Sequence, residues 1–194
     1  MAQLEKDVRE IIIEAARNIF ARFGFRKTTM DEIAQAALKA KSSIYHYFKS
    51  KDEIFRTIVE KESRTLREEI KKAIKQEDSP QKKLRAYVIT RMHTLQCLAN
   101  LYSAIKDEYL KQYGFIKKLR ANHNKEEIRI MKEILKEGCD RGIFQIKDLD
   151  VTAITIITTL KGLEYSGINE SDVSKTEKNI DSLLEILFNG IVKR

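Results

Sequence analysis

The chain has 194 residues, 42% of them apolar, and a formal net charge of +8, enough to bury a core in one large domain or in a small domain joined to a bigger one, with a balance that favours anionic partners such as nucleic acid. Cys97 and Cys139 are too few for a disulfide framework, the N-terminus is charged where a secretion signal needs an apolar segment, and no apolar run approaches the roughly 18 residues of a membrane span, so a cytoplasmic protein with no membrane partner is expected. One proline, seven glycines and no hairpin dipeptide between alternating apolar runs predict an all-α fold.

The first helix is predicted near Lys6 to Gly24, where Val8, Ile12, Ala15, Ala16, Ile19 and Phe23 recur at helical spacing and Gly24 supplies a stop. Thr29-Met-Asp-Glu32 has the form of a capping box that opens a short second helix to about Ala37. A third helix fits Lys41 to Tyr47. Ser50-Lys-Asp-Glu53 is a second capping box, ahead of a fourth helix that runs towards Gln76. Ser79-Pro80 reads as an N-cap with proline at the first helical position. The chain beyond is helical, with a break at Tyr113-Gly114, a stop at Gly138 to Gly142, and Asp148 or Asp150 capping a further helix. Ser174-Lys-Thr-Glu177 is a third capping box, and Ile180, Leu183, Leu184, Leu187, Phe188 and Ile191 trace an apolar stripe along a last helix.

A longer helix followed by two short ones joined by a three- or four-residue turn is the helix-turn-helix arrangement, whose second short helix enters the DNA major groove. At about 100° per residue, Ile44 and Phe48 share one face of the third helix, with Tyr47 at its edge, while Ser42, Ser43, Tyr45 and His46 occupy the rest of the cylinder. Hydroxyls and an imidazole can reach phosphates or base edges, and Lys41, Lys49 and Lys51 flank them with positive charge.

Residues Thr28 to Ile54, TTMDEIAQAALKAKSSIYHYFKSKDEI, resemble the N-terminal domain of the TetR family of transcriptional regulators: Thr-Thr, then Ile-Ala, a turn, an Ile-Tyr-x-x-Phe run and a basic Lys-x-Lys. The resemblance implies phosphate contacts for Thr28 and Thr29 at the start of the second helix and for Lys51 at the start of the fourth. Base reading would come from Lys41, Ser42 and Ser43, backbone and base contacts from Tyr45 and His46, and Ile44 and Phe48 would be core positions. Two departures stand at the turn. Leu38-Lys39 occupies the place of the usual Gly-Val, although glycine adopts a left-handed backbone at little cost. Ala40 replaces the usual capping serine. Ser42, where a glycine is common, adds a side chain at the groove surface.

The resemblance also implies a second, larger helical domain for ligand binding and dimerisation, about nine helices in all, with a DNA-binding domain over residues 1–50, a fourth helix over 51–76 linking it to the remainder, and the larger domain over 51–194. A separation near Gln76 to Ser79 is marked by the helix break there. In the family the last two helices pair with their mates in a four-helix bundle, which makes Ile154, Ile157, Thr158 and Leu160, with Ile180, Leu183, Leu184, Leu187, Phe188 and Ile191, the expected interface of a homodimer. A symmetric dimer would place two recognition helices about 34 Å apart, one duplex turn. Tyr87, Met92, Leu95, Leu98, Tyr102, Ile105, Tyr109 and Tyr113 form an apolar set with hydroxyl tips, which suits a small, largely apolar effector, with Arg91 or Lys106 available to an acidic one.

The expected function is that of a ligand-responsive repressor, bound as a dimer to a palindromic double-stranded DNA operator and released by a small molecule. No cofactor is expected. A metal-responsive regulator is the alternative: His93 and Cys97 stand four apart on one helical face, half of a site that His123 or Cys139 would have to complete. An enzyme is not expected, because the three histidines are dispersed, no glycine-rich phosphate loop occurs and no nucleophile sits beside an evident base. Glu177, Asp181 and Glu185 on the last helix argue against docking on anionic lipid.

Overall fold

The computed structural model describes residues 2–107, 109–165, 180–182 and 184–189. The fold is all-α: α1 (Ala2–Phe23), α2 (Met30–Ala36), α3 (Lys41–Tyr47), α4 (Lys51–Lys75), α5 (Pro80–Cys97), α6 (Ala99–Lys106), a 3₁₀ turn (Tyr109–Gln112), α7 (Gly114–Asp140) and α8 (Leu149–Tyr165). Residues 180–182 and 184–189 are helical as well, while the Ser174 to Glu177 box, Leu183 and Ile191 lie outside the described residues. No described helix is long and apolar enough to cross a membrane.

The start and stop signals fall where local chemistry places them. Thr29 accepts from the Glu32 amide at 3.3 Å while Glu32 Oε2 accepts from the Thr29 amide at 2.7 Å, closing the capping box of α2. The second box is rewired: Ser50 Oγ accepts from the Glu53 amide at 3.3 Å, but the Glu53 carboxylate reaches one residue further back, to the Lys49 amide at 2.8 Å. Ser79 Oγ accepts from the Lys82 amide at 3.4 Å ahead of Pro80, and of the two candidate aspartates it is Asp148 that caps α8, accepting from the Val151 amide at 3.0 Å. The breaks at Leu98 and Asp107, which separate α5, α6 and the 3₁₀ turn, carry no proline or glycine and are not evident from residue type.

The chain divides into two compact units. One comprises Met1–Thr65 and Leu95–Arg120, a grouping that takes in α6 and the start of α7 with the first three helices. Its core is aromatic: Phe55 meets Phe20 edge-on at 5.2 Å and Phe25 at 4.8 Å between ring centroids, and Tyr113 closes on Phe25 at 5.4 Å. On α1 it is Ile12, Ile13, Ala16 and Phe20 that are buried. Phe23, expected on that face, is 53% exposed beneath the Arg22 guanidinium.

The other unit comprises Leu66–Thr94 and Ala121–Arg194. Leu84, Val88, Met131, Leu135, Ala153, Ile157 and Leu160 are buried in it. The Phe144 ring lies where a Cβ on Gly138 would sit, 2.0 Å from that position, so the helix can turn back on itself only over a glycine. At its centre the Arg91 guanidinium, 1% exposed, donates to the Glu127 carboxylate, which also accepts from the Tyr87 hydroxyl at 3.3 Å. Lys161 Nζ and His123 Nε2 each stand 3.4 Å from Glu127 Oε2. Burial works to raise the Glu127 pKa, but the Arg91 charge, the His123 ring and the Arg91 hydrogen bond outweigh it and hold the value at about 2. Burial also keeps His123 below its ordinary value.

Glu127→Gln should therefore cost about 3–5 kcal/mol in urea unfolding at neutral pH, since a buried charge pair loses its anionic member. The depressed carboxylate contributes fully above the ordinary value of about 4.3 and loses its contribution as the pH falls towards the folded value. The variant's stability should accordingly vary less than the wild type's below pH of about 4, and parallel pH profiles would show that the pair is not coupled to folding.

Candidate nucleic-acid interface

The unit of Met1–Thr65 carries two short helices joined by a turn, and the third helix divides its side chains by face. Ile44 and Phe48 are 0% and 1% exposed, Ile33 of α2 is 0% exposed, and Ala34 is buried beside them. Arg9 of α1 covers the outer face of the Phe48 ring at 4.7 Å. Lys41, Ser42, Tyr45 and His46 are exposed, and Ser43 and Tyr47 are half-buried. The His46 and Tyr47 rings meet edge-on at 5.0 Å, which restricts the imidazole to one side of the helix.

The turn ahead of α3 is wound left-handed in spite of its residues. Leu38 has φ +53° and is 89% exposed. Its amide donates to the Gln35 carbonyl at 3.1 Å and the Lys39 amide to the Ala34 carbonyl at 3.0 Å, the paired bonds that end a helix through a left-handed residue. Leucine thus takes the conformation that glycine supplies at little cost, and its side chain projects into solvent because the backbone leaves it no core to enter. Ala40 offers α3 no side-chain cap. A cross-link between the two helix starts stands in its place: Lys41 Nζ lies 2.8 Å from Asp31 Oδ1, and this hydrogen bond and charge raise the Lys41 pKa above its ordinary value.

Two residues expected at phosphate sit differently. Thr28 is 1% exposed, and its hydroxyl donates to the Gly24 carbonyl at 2.9 Å, ending α1 from below. Lys51 Nζ donates to the carbonyls of Phe25, Thr28 and Arg26 at 2.9, 3.0 and 3.3 Å and lies 4.6 Å from the Phe25 ring centroid. An ammonium has three N–H donors, so none is left over for phosphate. Lys51 clamps the α1–α2 loop instead. Thr29 is exposed, with its hydroxyl engaged in the capping box. No sequence period signals such a clamp, because its partners are backbone carbonyls more than twenty residues away.

The remaining expectations concern the second unit and the α5–α7 stretch. Of the effector set, Tyr87 and Met92 belong to one unit, Leu95, Leu98, Tyr102 and Tyr113 to the other, and the side chains of Ile105 and Tyr109 lie outside those described. Tyr87 is fully buried against Glu127, and Arg91 is engaged by the same carboxylate, which leaves neither at a surface. Cys97 is exposed, and among the described residues no group of three or more His, Cys, Asp or Glu is placed to hold a metal ion. Of the dimer set, Ile157, Leu160, Ile180 and Leu184 are 1–3% exposed within their own unit and have no area left for a partner. Leu187 and Phe188 are half-buried, Phe188 stacking on Phe144 at 6.3 Å. The face left open is the other side of α8, with Ile154 48% and Val151 59% exposed beside Thr155 and Thr158, together with Ile186 at 74%. α8 carries isoleucines and valine on more than one side, and spacing alone does not tell which side meets its own core.

Comparison with known proteins bears on this arrangement. Residues 12–58 match the family of bacterial regulatory proteins named for tetR. The HTH-type transcriptional regulator QacR of Staphylococcus aureus is 24% identical over 189 residues, covering 96% of this chain and 100% of that protein. The HTH-type transcriptional repressor KstR2 of Mycolicibacterium smegmatis is 26% identical over 75% of this chain and 71% of its own. The crystal structure of a transcriptional regulator from Cytophaga hutchinsonii superposes with a TM-score of 0.78 at 26% identity, covering 95% of this chain and 98% of that one. Residues 12–58, from α1 to the first part of α4, thus match the family's N-terminal domain, and over most of its length the chain is similar to HTH-type transcriptional regulators.

Leu38→Gly should raise the stability of the protein by about 1 kcal/mol in thermal or urea unfolding, because it removes the left-handed penalty of a side chain that touches nothing; a loss of stability would mean that the leucine is packed. Tyr45→Ala should leave the melting temperature nearly unchanged, whereas Phe48→Ala should cost on the order of 3 kcal/mol. Comparable losses in the two variants would overturn the division of faces.

Proposed function

We propose that the chain is a dimeric repressor that reads a palindromic DNA operator with α3 and is released by a small molecule. The observation that carries the DNA-reading part is the sorting of α3 by burial. The face opposite Ile44 and Phe48 holds Ser42, Tyr45 and His46 at the surface, with Lys41 at its N-terminal end and Lys49 just past its C-terminal end. These are hydroxyl, phenol, imidazole and ammonium groups, the donors and acceptors that contact base edges and phosphates in the major groove. Lys41 would exchange its Asp31 partner for phosphate or guanine as DNA approaches.

Dimerisation through the open face of α8, with Ile154 and Val151 as apolar anchors among threonines, supplies the two-fold repeat that a palindromic site requires. Threonine and isoleucine side by side give such a face both close packing and hydrogen-bonding capacity. Release follows if the effector binds better to a conformer whose two recognition helices are wrongly spaced, since differential affinity alone moves the equilibrium. Repression is supported by the similarity to a protein named as a repressor.

Fluorescence anisotropy with labelled duplexes tiled across the region upstream of the chain's own gene tests the reading. Saturable binding of two chains per site is expected, with affinity falling about a thousandfold or more between 50 and 200 mM salt if six or more phosphates are contacted. Binding that does not respond to salt would sink the reading, as would binding unaffected by Tyr45→Ala and His46→Ala together.

A further inference from the structure

Glu62 of α4 is 5% exposed, a carboxylate inside the core of the unit that holds the DNA-reading helices. Its Oε2 accepts from the Leu101 amide at 2.7 Å, and its Oε1 from Asn100 Nδ2 at 3.0 Å. Leu101 is the third residue of α6, the position whose amide an N-cap side chain normally satisfies. The residue at the cap, Leu98, makes no such bond. α6 is therefore capped in trans, by a residue of another helix, and a carboxylate there also suits the positive end of the helix dipole. With only eight residues, α6 is far below the length at which a helix persists on its own in water.

The second proton of the same amide extends the junction. Asn100 Nδ2 donates to the Arg17 carbonyl of α1 at 3.2 Å, so one side chain joins the capping carboxylate of α4 to the backbone of α1. α1 is the helix whose Arg9 covers Phe48 behind the recognition surface. Asn100 Oδ1, on the other hand, is buried with no hydrogen-bond partner. Opening the junction breaks three hydrogen bonds but returns that oxygen to water, which leaves the closed state favoured by less than its bonds alone suggest.

We propose that Glu62 is a positioning residue that couples the first turn of α6 to α1, so that fraying of α6 loosens the helix supporting the DNA-reading pair. Leu95, Leu98 and Tyr102, three of the residues expected to meet an effector, flank this junction in the chain. The consequence for DNA rests on the function proposed above; the coupling itself does not.

Hydrogen exchange on the full-length protein without DNA tests the coupling, in the wild type, Glu62→Gln, Asn100→Ala and the double variant. Glu62→Gln keeps the shape but presents a donor to one of its two donors. It should speed exchange at the Leu101 amide about tenfold or more, the loss of one charge-assisted bond in a buried setting, and should also speed exchange across residues 17–23 of α1. Asn100→Ala should speed exchange over residues 17–23 while the Leu101 amide stays protected. In the Asn100→Ala background, Glu62→Gln should have no additional effect on α1, because the bridging amide is gone. An α1 that does not respond to Glu62→Gln, one that responds equally in both backgrounds, or a uniform acceleration reaching α8 would overturn the proposal; should Glu62→Gln not fold, protection of residues 17–23 unchanged by Asn100→Ala alone would do the same. Duplex binding is measured in parallel: Glu62→Gln should weaken it about tenfold, in line with a loss of roughly one tenfold step in the supporting equilibrium. A wild type that binds no duplex removes the function proposed above, and the exchange pattern then still decides the coupling.

Discussion

Two backbone hydrogen bonds at the end of α2 set the direction in which α3 leaves it. The amides of Leu38 and Lys39 close onto Gln35 and Ala34, and the second of these bonds requires residue 38 to be left-handed. Given that turn, Ala37 and Ala34 bring the backbones of α2 and α3 close, Ile33 and Ile44 meet beneath, and the register of α3 sends Tyr45 and His46 outward. A different winding would rotate α3 by some tens of degrees and move Phe48 from the core to the surface, at a cost far larger than that of one strained leucine. The apolar face of α3 thus imposes the turn, and the turn tolerates a residue ill suited to it.

The same logic explains what was legible in advance. The bounds of α3, the capping box of α2, the Pro80 start and the split of Tyr45 and His46 from Ile44 and Phe48 all follow from interactions within four residues, which a sequence displays directly. Residue type at the turn does not show that Leu38 is left-handed, because packing there overrides local propensity. Resemblance implies phosphate contacts for Thr28 and Lys51, whereas Thr28 turns back onto Gly24 and Lys51 reaches carbonyls of the α1–α2 loop. Long-range bonds to backbone leave no mark in residue type. A lysine that holds this loop still fixes where α2 begins, since the loop carries Thr29 to its N-cap.

In the second unit the difficulty is of another kind. Apolar periodicity finds a buried stripe but not what buries it. Ile157, Leu160, Ile180 and Leu184 satisfy the pattern of an interface and are consumed by the unit's own core, while the exposed Ile154, Val151 and Ile186 lie on faces that the pattern weights no more heavily. Arg91 and Glu127 lie on helices 36 residues apart in sequence and neutralise one another in a dry setting, with Tyr87 and His123 completing the group. Such a pair adds little net stability over apolar packing, but it penalises any register that separates its members.

Buried polar groups therefore do comparable work in each unit, by different means. Arg91 and Glu127 are side chains on both sides, so the pair selects one packing of its own helices. Glu62 faces a backbone amide and a carboxamide, so it caps the first turn of α6, where the Leu98 side chain offers no acceptor. An eight-residue helix capped from outside is a joint whose stability is set by its neighbour rather than by its own sequence. That arrangement sets a short helix with no cap of its own where α1, α4 and α6 meet, and the Asn100 amide alone joins its capping carboxylate to the Arg17 carbonyl of α1.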